Sequence, residues 1–263
     1  MRLPVRLWLL FAAVAATALP AAIYAQDQNA GAQSVPQAPV PANGGYVPVN
    51  PLSGVRYDNR FDMSLGLAYD HMKAGPTLLQ GSNLGGLNLS GSMWLTRHWG
   101  LEGSGRAYVG TSGAGLNSAG GAPGGALKGP MVKQYFFVGG PEWLGPHNQH
   151  GDLMAHLLLG GVYGDFQKDL LGVEPAVYDF YHDQVAPAGI IGGDFDLNRS
   201  ARWVFRIEPD AVMTHYNFRE APPYFVQSLS YDQFDVNFAI SVGLEYKFNG
   251  RRSNQKGNWT HGW

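Results

Sequence analysis

The feature that most restricts this chain is the fifteen-residue run FDVNFAISVGLEYKF. Phe234, Val236, Phe238, Ile240, Val242, Leu244, Tyr246 and Phe248 recur at every second position, and Asp235, Asn237, Ser241, Gly243, Glu245 and Lys247 lie between them. A β-strand sends successive side chains to opposite faces, so this period predicts a strand with one apolar and one polar face. Strands of soluble domains average five or six residues. A tilted strand crossing a bilayer needs about 9–11 residues plus its ends, and this run has that length.

The same alternation recurs upstream. FDMSLGLAYDHM sets Phe61, Met63, Leu65, Leu67 and Tyr69 against Asp62, Ser64, Gly66, Ala68 and Asp70. LNLSGSMWL (Leu87 to Leu95), LEGSGRAYV (Leu101 to Val109) and WVFRIEPDAVMT (Trp203 to Thr214) follow it. VKQYFFVGGPEW (Val132 to Trp143) and DLMAHLLLGGVYG (Asp152 to Gly164) are apolar on both faces, and VAPAGIIGGDFDL (Val185 to Leu197) is polar only towards its end. These three also read as strands, but their facing stays open. Pro209 cannot donate to a ladder, so a bulge is expected there.

Eight strands result, and the spacers between them run long, short, long, short. Lys73 to Asn83, Thr111 to Pro130, Asp165 to Gln184 and His215 to Gln233 are long; Thr96 to His98, Leu144 to Gly151 and Asn198 to Ala201 are short. Bacterial membrane barrels show this rhythm, with short turns inside the cell envelope and long loops outside. Hydrocarbon offers no partner for an open sheet edge, so spanning strands must close on one another. The predicted fold is all-β: a closed up-and-down antiparallel transmembrane β-barrel of eight strands over residues 59–248.

The charges predict which face looks inward. Glu102, Arg106, Asp194, Asp196, Arg202, Arg206, Glu208 and Glu245 share the less apolar face. A soluble lipocalin-like carrier would turn that face to water and fill its centre with Trp203, Phe205, Phe234, Phe238, Tyr246 and Phe248. So many rings overfill a centre that small. The apolar face is therefore assigned to lipid. Trp99, Trp143, Trp203, Tyr246 and Phe248 near the short-turn ends, and Tyr69, Tyr163 and Phe234 near the long-loop ends, suit two interfacial girdles.

Composition agrees. The chain has 36 glycines among 263 residues, too many for a helical domain, and only 14% charged residues. A formal charge of −2 gives no reason to expect nucleic acid. Without cysteine there is no disulfide, thiolate metal site or cysteine nucleophile. Arg2, Arg6, the apolar run Leu7 to Leu19, and Ala25 before Gln26 read as a signal peptide over residues 1–25. The Pro- and Gln-rich residues 26–58 read as a disordered tether. Residues 249–263, with Arg251, Arg252 and Lys256, read as a basic periplasmic tail.

SVGLEYKF carries Ser241, Gly243, Tyr246 and Phe248 in the spacing of the β-signal read by the outer-membrane assembly machinery, and it resembles that signal although Phe248 does not end the chain. IIGGDFDLNRSARWVFRIEPDAVMTHY followed by FDVNFAISVGLEYKF resembles the last hairpin and strand of OmpA-like outer-membrane β-barrel domain proteins. The resemblance covers Asn59 to Phe248 and is strongest over Gly192 to Phe248. It implies an outer-membrane location in a Gram-negative-type bacterium, contact with outer-membrane lipid, and the assembly machinery as a partner. No peptidoglycan-binding domain of that family is read in the residues that follow, so no cell-wall role is implied.

Function is less legible. Glu102, Arg106, Asp194, Arg202, Arg206, Glu208 and Glu245 are expected to form an interior Arg–carboxylate network, because buried charges are costly unless paired. Arg106 and Glu208 fall at mid-height on the third and seventh strands, which lie opposite in an eight-strand barrel. The network acts either as filling or as a gate. A Ser104–His156–Glu102 hydrolase set needs His156 to face the same space and has no nucleophile motif around it. His147 and His150, three apart in a turn, read as exposed polar groups before metal ligands. The loop TSGAGLNSAGGAPGGALKGP lacks the GK[ST] ending of a phosphate loop. The aromatic loops VEPAVYDFYHDQ and REAPPYFVQSLSYDQ suit capture of a surface ligand, or packing over the barrel mouth. The leading expectation is a non-enzymatic structural or surface-interaction protein without cofactor or metal. The alternatives are a narrow pore, a membrane-embedded lipid-modifying enzyme and the soluble carrier.

Overall fold

A computed structural model describes residues 51–248, except 53, 77, 79–80, 113–114, 117–126, 171, 220–229 and 232–233. The signal peptide, the tether up to residue 50, the basic tail, most of the Gly-rich loop and most of the loop 219–233 lie outside the described residues.

Eight long strands form the barrel: β1 (Phe61–Met72), β2 (Ser82–Trp94), β3 (Trp99–Ser112), β4 (Met131–His147), β5 (Gly151–Asp165), β6 (Gln184–Asn198), β7 (Trp203–Thr214) and β8 (Asp235–Lys247). Each pairs antiparallel with its chain neighbours, and β8 closes on β1, so the sheet has no free edge. The closing seam sets Leu65 against Leu244, and on its other side Leu65 faces Leu89. The polar Ser64 lies between Glu245 and Ser90. Parity is thus kept across strands, as a period of two demands. β1 and β7 have the bounds read from the sequence; β3 to β6 run one to several residues further at each end, β2 begins five residues earlier and ends one earlier, and β8 is one residue shorter at each end.

The expected bulge at Pro209 is not there. Pro209 keeps register with Ile240 on β8, and β6 and β7 are in the same register at Gly192–Asp210 and at Phe195–Ile207. Between those points the ladder is open. A missing N–H removes a bond without requiring an extra residue, so the strand runs straight past it. The irregularity that does occur lies between Leu144 and His147 of β4, next to the turn into β5.

The barrel is inside out relative to a soluble protein. Leu67, Phe137 and Val185 are 72%, 75% and 77% exposed, and Leu65, Leu87, Leu159, Val236 and Leu244 are exposed with them. Glu102, Arg106, Asp194, Arg206, Glu208 and Glu245 are buried within. An exterior so apolar is a lipid-facing surface rather than a water-facing one. Trp99 and Trp143 are register partners at the turn end, where Trp203 packs on Tyr246 at 5.0 Å and Tyr246 on Phe248 at 5.1 Å. Near the loop end Tyr135 stacks on Tyr163 at 6.3 Å.

β4 and β5, ambiguous in sequence, face as their neighbours do. Tyr135, Phe137, Trp143, Leu157, Leu159 and Tyr163 point outward; Gln134, Phe136, Glu142, His156, Leu158 and Val162 point inward. Their inner faces read as apolar because the loop-side half of the interior is itself apolar. Val132, Phe136, Leu158 and Val162 pack there with Leu84, Tyr108 and Ile190.

Candidate functional site: a charged chamber

Inward positions of the turn-side and middle parts of the strands converge on one polar chamber. Arg106 on β3 reaches across to β7 and donates to Glu208 Oε1 at 2.6 Å and Asp210 Oδ2 at 2.5 Å. Arg206 on β7 donates to both oxygens of Asp196 at 2.9 Å and to Glu245, and its Nη1 lies 3.4 Å from Asp194. Lys247 Nζ bonds Asp152 at 3.3 Å. Glu208 also accepts from Asn88 at 2.7 Å and from Ser241 at 3.0 Å. These side chains come from β2, β3 and β5 to β8, so the network ties the wall together across the barrel as well as between neighbouring strands.

Six of the seven charged residues named from sequence lie in this chamber. Arg202 does not. It has the right parity but sits in the turn before β7, beyond the end of the wall, exposed, with Nη1 3.3 Å from the Tyr246 hydroxyl. Sequence reasoning missed Asp62, Glu142, Asp152, Asp210, His156 and Lys247 as members. Parity alone marks Asp62, Asp210 and Lys247. For Glu142 and His156 the apolar surroundings of β4 and β5 hid it.

His156 is buried with both ring nitrogens turned to carboxylates: Nε2 lies 2.9 Å from Asp210 Oδ1, and Nδ1 lies 3.2 Å from Glu102 Oε2. Ser104 instead donates to Asn88 at 3.0 Å and accepts from Arg106 Nε at 3.2 Å. The hydrolase set does not assemble, because the imidazole has no serine to deprotonate. His147 and His150 each have a different partner. His147 Nδ1 bonds the Gly145 carbonyl at 2.9 Å, and His150 Nε2 lies 3.2 Å from Gln149.

Apolar side chains cluster at both ends of the chamber. At the turn end Trp94, Leu144 and Met154 pack with Tyr57. The Tyr57 hydroxyl donates to the Asn148 carbonyl and accepts from Asn198, both at 2.7 Å, while Lys247 Nζ stands 4.5 Å above its ring. Burial and the nearby Asp152 raise the Tyr57 phenol pKa, so it stays a donor. The tether reading up to residue 58 is therefore corrected at its end: Tyr57 is fixed in the barrel mouth.

At the loop end the segment 166–181 folds inward around the 3-10 turn Pro175–Tyr178. Phe166 packs edge-on against Tyr216 at 5.2 Å, and Tyr181 lies 5.2 Å from Tyr216. Tyr181 donates to Asp235 at 2.6 Å. Tyr178, Phe180 and Tyr181 are almost fully buried, so the rings of VEPAVYDFYHDQ cap the barrel and do not present themselves to a surface ligand. The matching rings of the other aromatic loop fall outside the described residues.

The four residues of the resembled β-signal have evident structural places. Ser241 lies in the chamber network. Gly243 faces Gly66 across the closing seam, where a Cβ would run into the Leu65 carbonyl and the Gly66 backbone. Tyr246 and Phe248 belong to the turn-end girdle.

No protein-family model matches the chain, and no curated protein matches it. Among solved structures the fold is similar to the outer membrane protein OprG of Pseudomonas aeruginosa, with 16% identity and a TM-score of 0.47 over 75% of this chain and 99% of that one. It is similar to Ail, the attachment invasion locus protein of Yersinia pestis, crystallised with the heparin analogue sucrose octasulfate. That match has 17% identity and a TM-score of 0.43 over 73% and 99% of the two chains. It is also similar to outer membrane protein W of E. coli, with 14% identity and a TM-score of 0.34 over 74% and 100%. The chain itself is a closed eight-stranded antiparallel β-barrel with an apolar exterior.

Proposed function

We propose that this chain is an exported outer-membrane barrel with a structural or surface-interaction role, non-enzymatic and non-conducting, whose polar interior is held shut by Arg–carboxylate pairing. One observation carries the reading: the charged chamber lies between two apolar clusters, Trp94–Leu144–Met154–Tyr57 below and the Phe166–Tyr181–Tyr216 cluster above. Water or an ion crossing the barrel would have to displace both clusters and part the Arg106 and Arg206 pairs. The apolar exterior and the two aromatic girdles support residence in a bilayer. Residues 1–25, which read as a signal peptide, support export. The long connections then face outside, and whatever surface interaction the protein makes falls to them.

The test is planar-bilayer recording on barrel refolded in detergent, with heat-modifiable gel migration as proof of folding. Bilayers containing migration-shifted protein are expected to show no steady conductance. Stable unitary currents from such protein would replace this reading with that of a narrow pore.

The assembly signal is tested separately. Phe248 sits on the outer surface at the turn end, 44% exposed, and holds nothing in the chamber. Phe248→Ala is expected to slow insertion catalysed by the assembly machinery while leaving unassisted folding into short-chain lipid vesicles nearly unchanged. Equal slowing of both would remove the signal role and leave only girdle packing.

A further inference from the structure

The chamber is not electrically balanced. Among the described residues ten carboxylic side chains are buried, against Arg106, Arg206, Lys247 and His156, an excess of six. The hydrogen-bonded pairs already described engage Glu208, Asp210, Asp196, Glu245 and Asp152. Of the other five, Glu102, Glu142 and Asp194 lie together, contributed by β3, β4 and β6. One oxygen from each of these three lies within 4.8 Å of the other two.

Glu142 sets this cluster apart from an ordinary acidic patch. It is 0% exposed, points into the cluster, and has neither a hydrogen bond nor an ion pair at either oxygen. Glu102 and Asp194 also have oxygens without hydrogen bonds; their nearest cations are His156 Nδ1, 3.2 Å from Glu102, and Arg206 Nη1, 3.4 Å from Asp194. A buried polar group without a partner is a substantial cost. Protonation removes the charge of Glu142 and lets one oxygen donate to a neighbouring carboxylate, but it leaves the other oxygen without a donor. A cation removes the charge and satisfies the lone pairs together.

We propose that Glu102, Glu142 and Asp194 form a buried site for a divalent cation of the hard, oxygen-preferring class, of calcium size, which offsets part of the negative excess of the chamber. All three ligands are carboxylates, the donor set of calcium and magnesium rather than of soft metals. Oxygens up to 4.8 Å apart can share one ion at the roughly 2.3–2.6 Å of calcium coordination, whereas magnesium demands about 2.0–2.1 Å and near-ideal octahedral geometry. The second grouping in the chamber, Glu102, His156 and Glu208, suits a nitrogen-preferring metal, but His156 is already held between Glu102 and Asp210. With apolar clusters at both ends, the ion enters as the barrel closes, so binding is coupled to folding. The site depends on the interior geometry and not on the surface role proposed above; a conducting barrel could hold it equally well.

The experiment uses the full mature chain, denatured and chelator-treated, then refolded in detergent with calcium, magnesium, manganese or zinc alone. Bound metal is measured by elemental analysis after exhaustive dialysis, and stability by the thermal midpoint of gel-migration loss. A stoichiometric calcium ion is expected, with a midpoint higher than in chelator; magnesium should be retained less. Glu142→Gln, which keeps the shape, should lose the calcium and the calcium-dependent rise, with Glu102→Gln behaving alike should the first variant fold poorly. Arg202→Ala should keep both. Wild-type barrel that folds with no retained calcium overturns the proposal in favour of protonated carboxylates. So does calcium retained undiminished by both Gln variants, or retention of zinc alone.

Discussion

Replacing Arg206 with Met is expected to destabilise the folded barrel by about 3–5 kcal/mol, the usual cost of breaking a buried ion pair from one side. Arg206 has Asp194, Asp196 and Glu245 around a single guanidinium, and its side chain is 3% exposed. Met fills much of the volume, so the loss is chiefly electrostatic: three carboxylates remain enclosed with their shared cation gone. Equilibrium urea unfolding in lipid vesicles, followed by gel migration, measures the effect. Adding Glu245→Gln to the Met variant should recover part of the loss, since one of the stranded charges is then removed. Arg202→Ala is the matching control. Its guanidinium lies in the exposed turn, and surface changes of that kind stay within about 0.5 kcal/mol. If both arginine variants unfold at the same urea concentration, the interior pairing contributes nothing and the chamber needs another account.

Arg202 and Arg206 also mark how far a sequence pattern reaches. Period-two parity carried the strand count, the closure and the inversion, because in a two-faced sheet one residue fixes the side of all the others. Parity cannot say where a strand stops. Arg202 shares it with Arg206 and lies four residues away, yet the wall begins at Trp203. The apolar layer had the opposite effect. Phe136, Leu158 and Val162 face inward by parity and are apolar there because Phe166, Leu170, Tyr178 and Phe180 join the same cluster, a contact between distant parts of the chain that no local window contains. That layer made β4 and β5 look apolar on both faces and concealed Glu142 and His156. Tyr57 escaped for a related reason, since its partners Asn148, Asn198 and Lys247 come from three other places in the sequence. Pairings by charge type were easier to foresee: Arg106 and Glu208, on opposite strands of the ring, meet at 2.6 Å.

The inversion itself can be tested at a single outward position. Leu67 lies midway along β1, 72% exposed, with Val242 and Leu87 as its register partners on either side. On a water-facing surface Leu67→Arg would be nearly neutral, within about 0.5 kcal/mol, and would improve solubility. On a lipid-facing wall the same change places a guanidinium near the bilayer midplane, where Arg costs about 2–4 kcal/mol. Position matters in a predictable way. An arginine in place of Trp203 at the turn-end girdle should cost much less through lipid burial, because the headgroups are within reach there. Folding equilibria of both variants in vesicles of one lipid composition give the comparison directly. A Leu67→Arg barrel as stable as the parent would mean that the exposed leucines do not touch hydrocarbon. The closed strand ring would then have to be explained as a soluble barrel with its charges trapped inside, an arrangement for which water supplies no driving force.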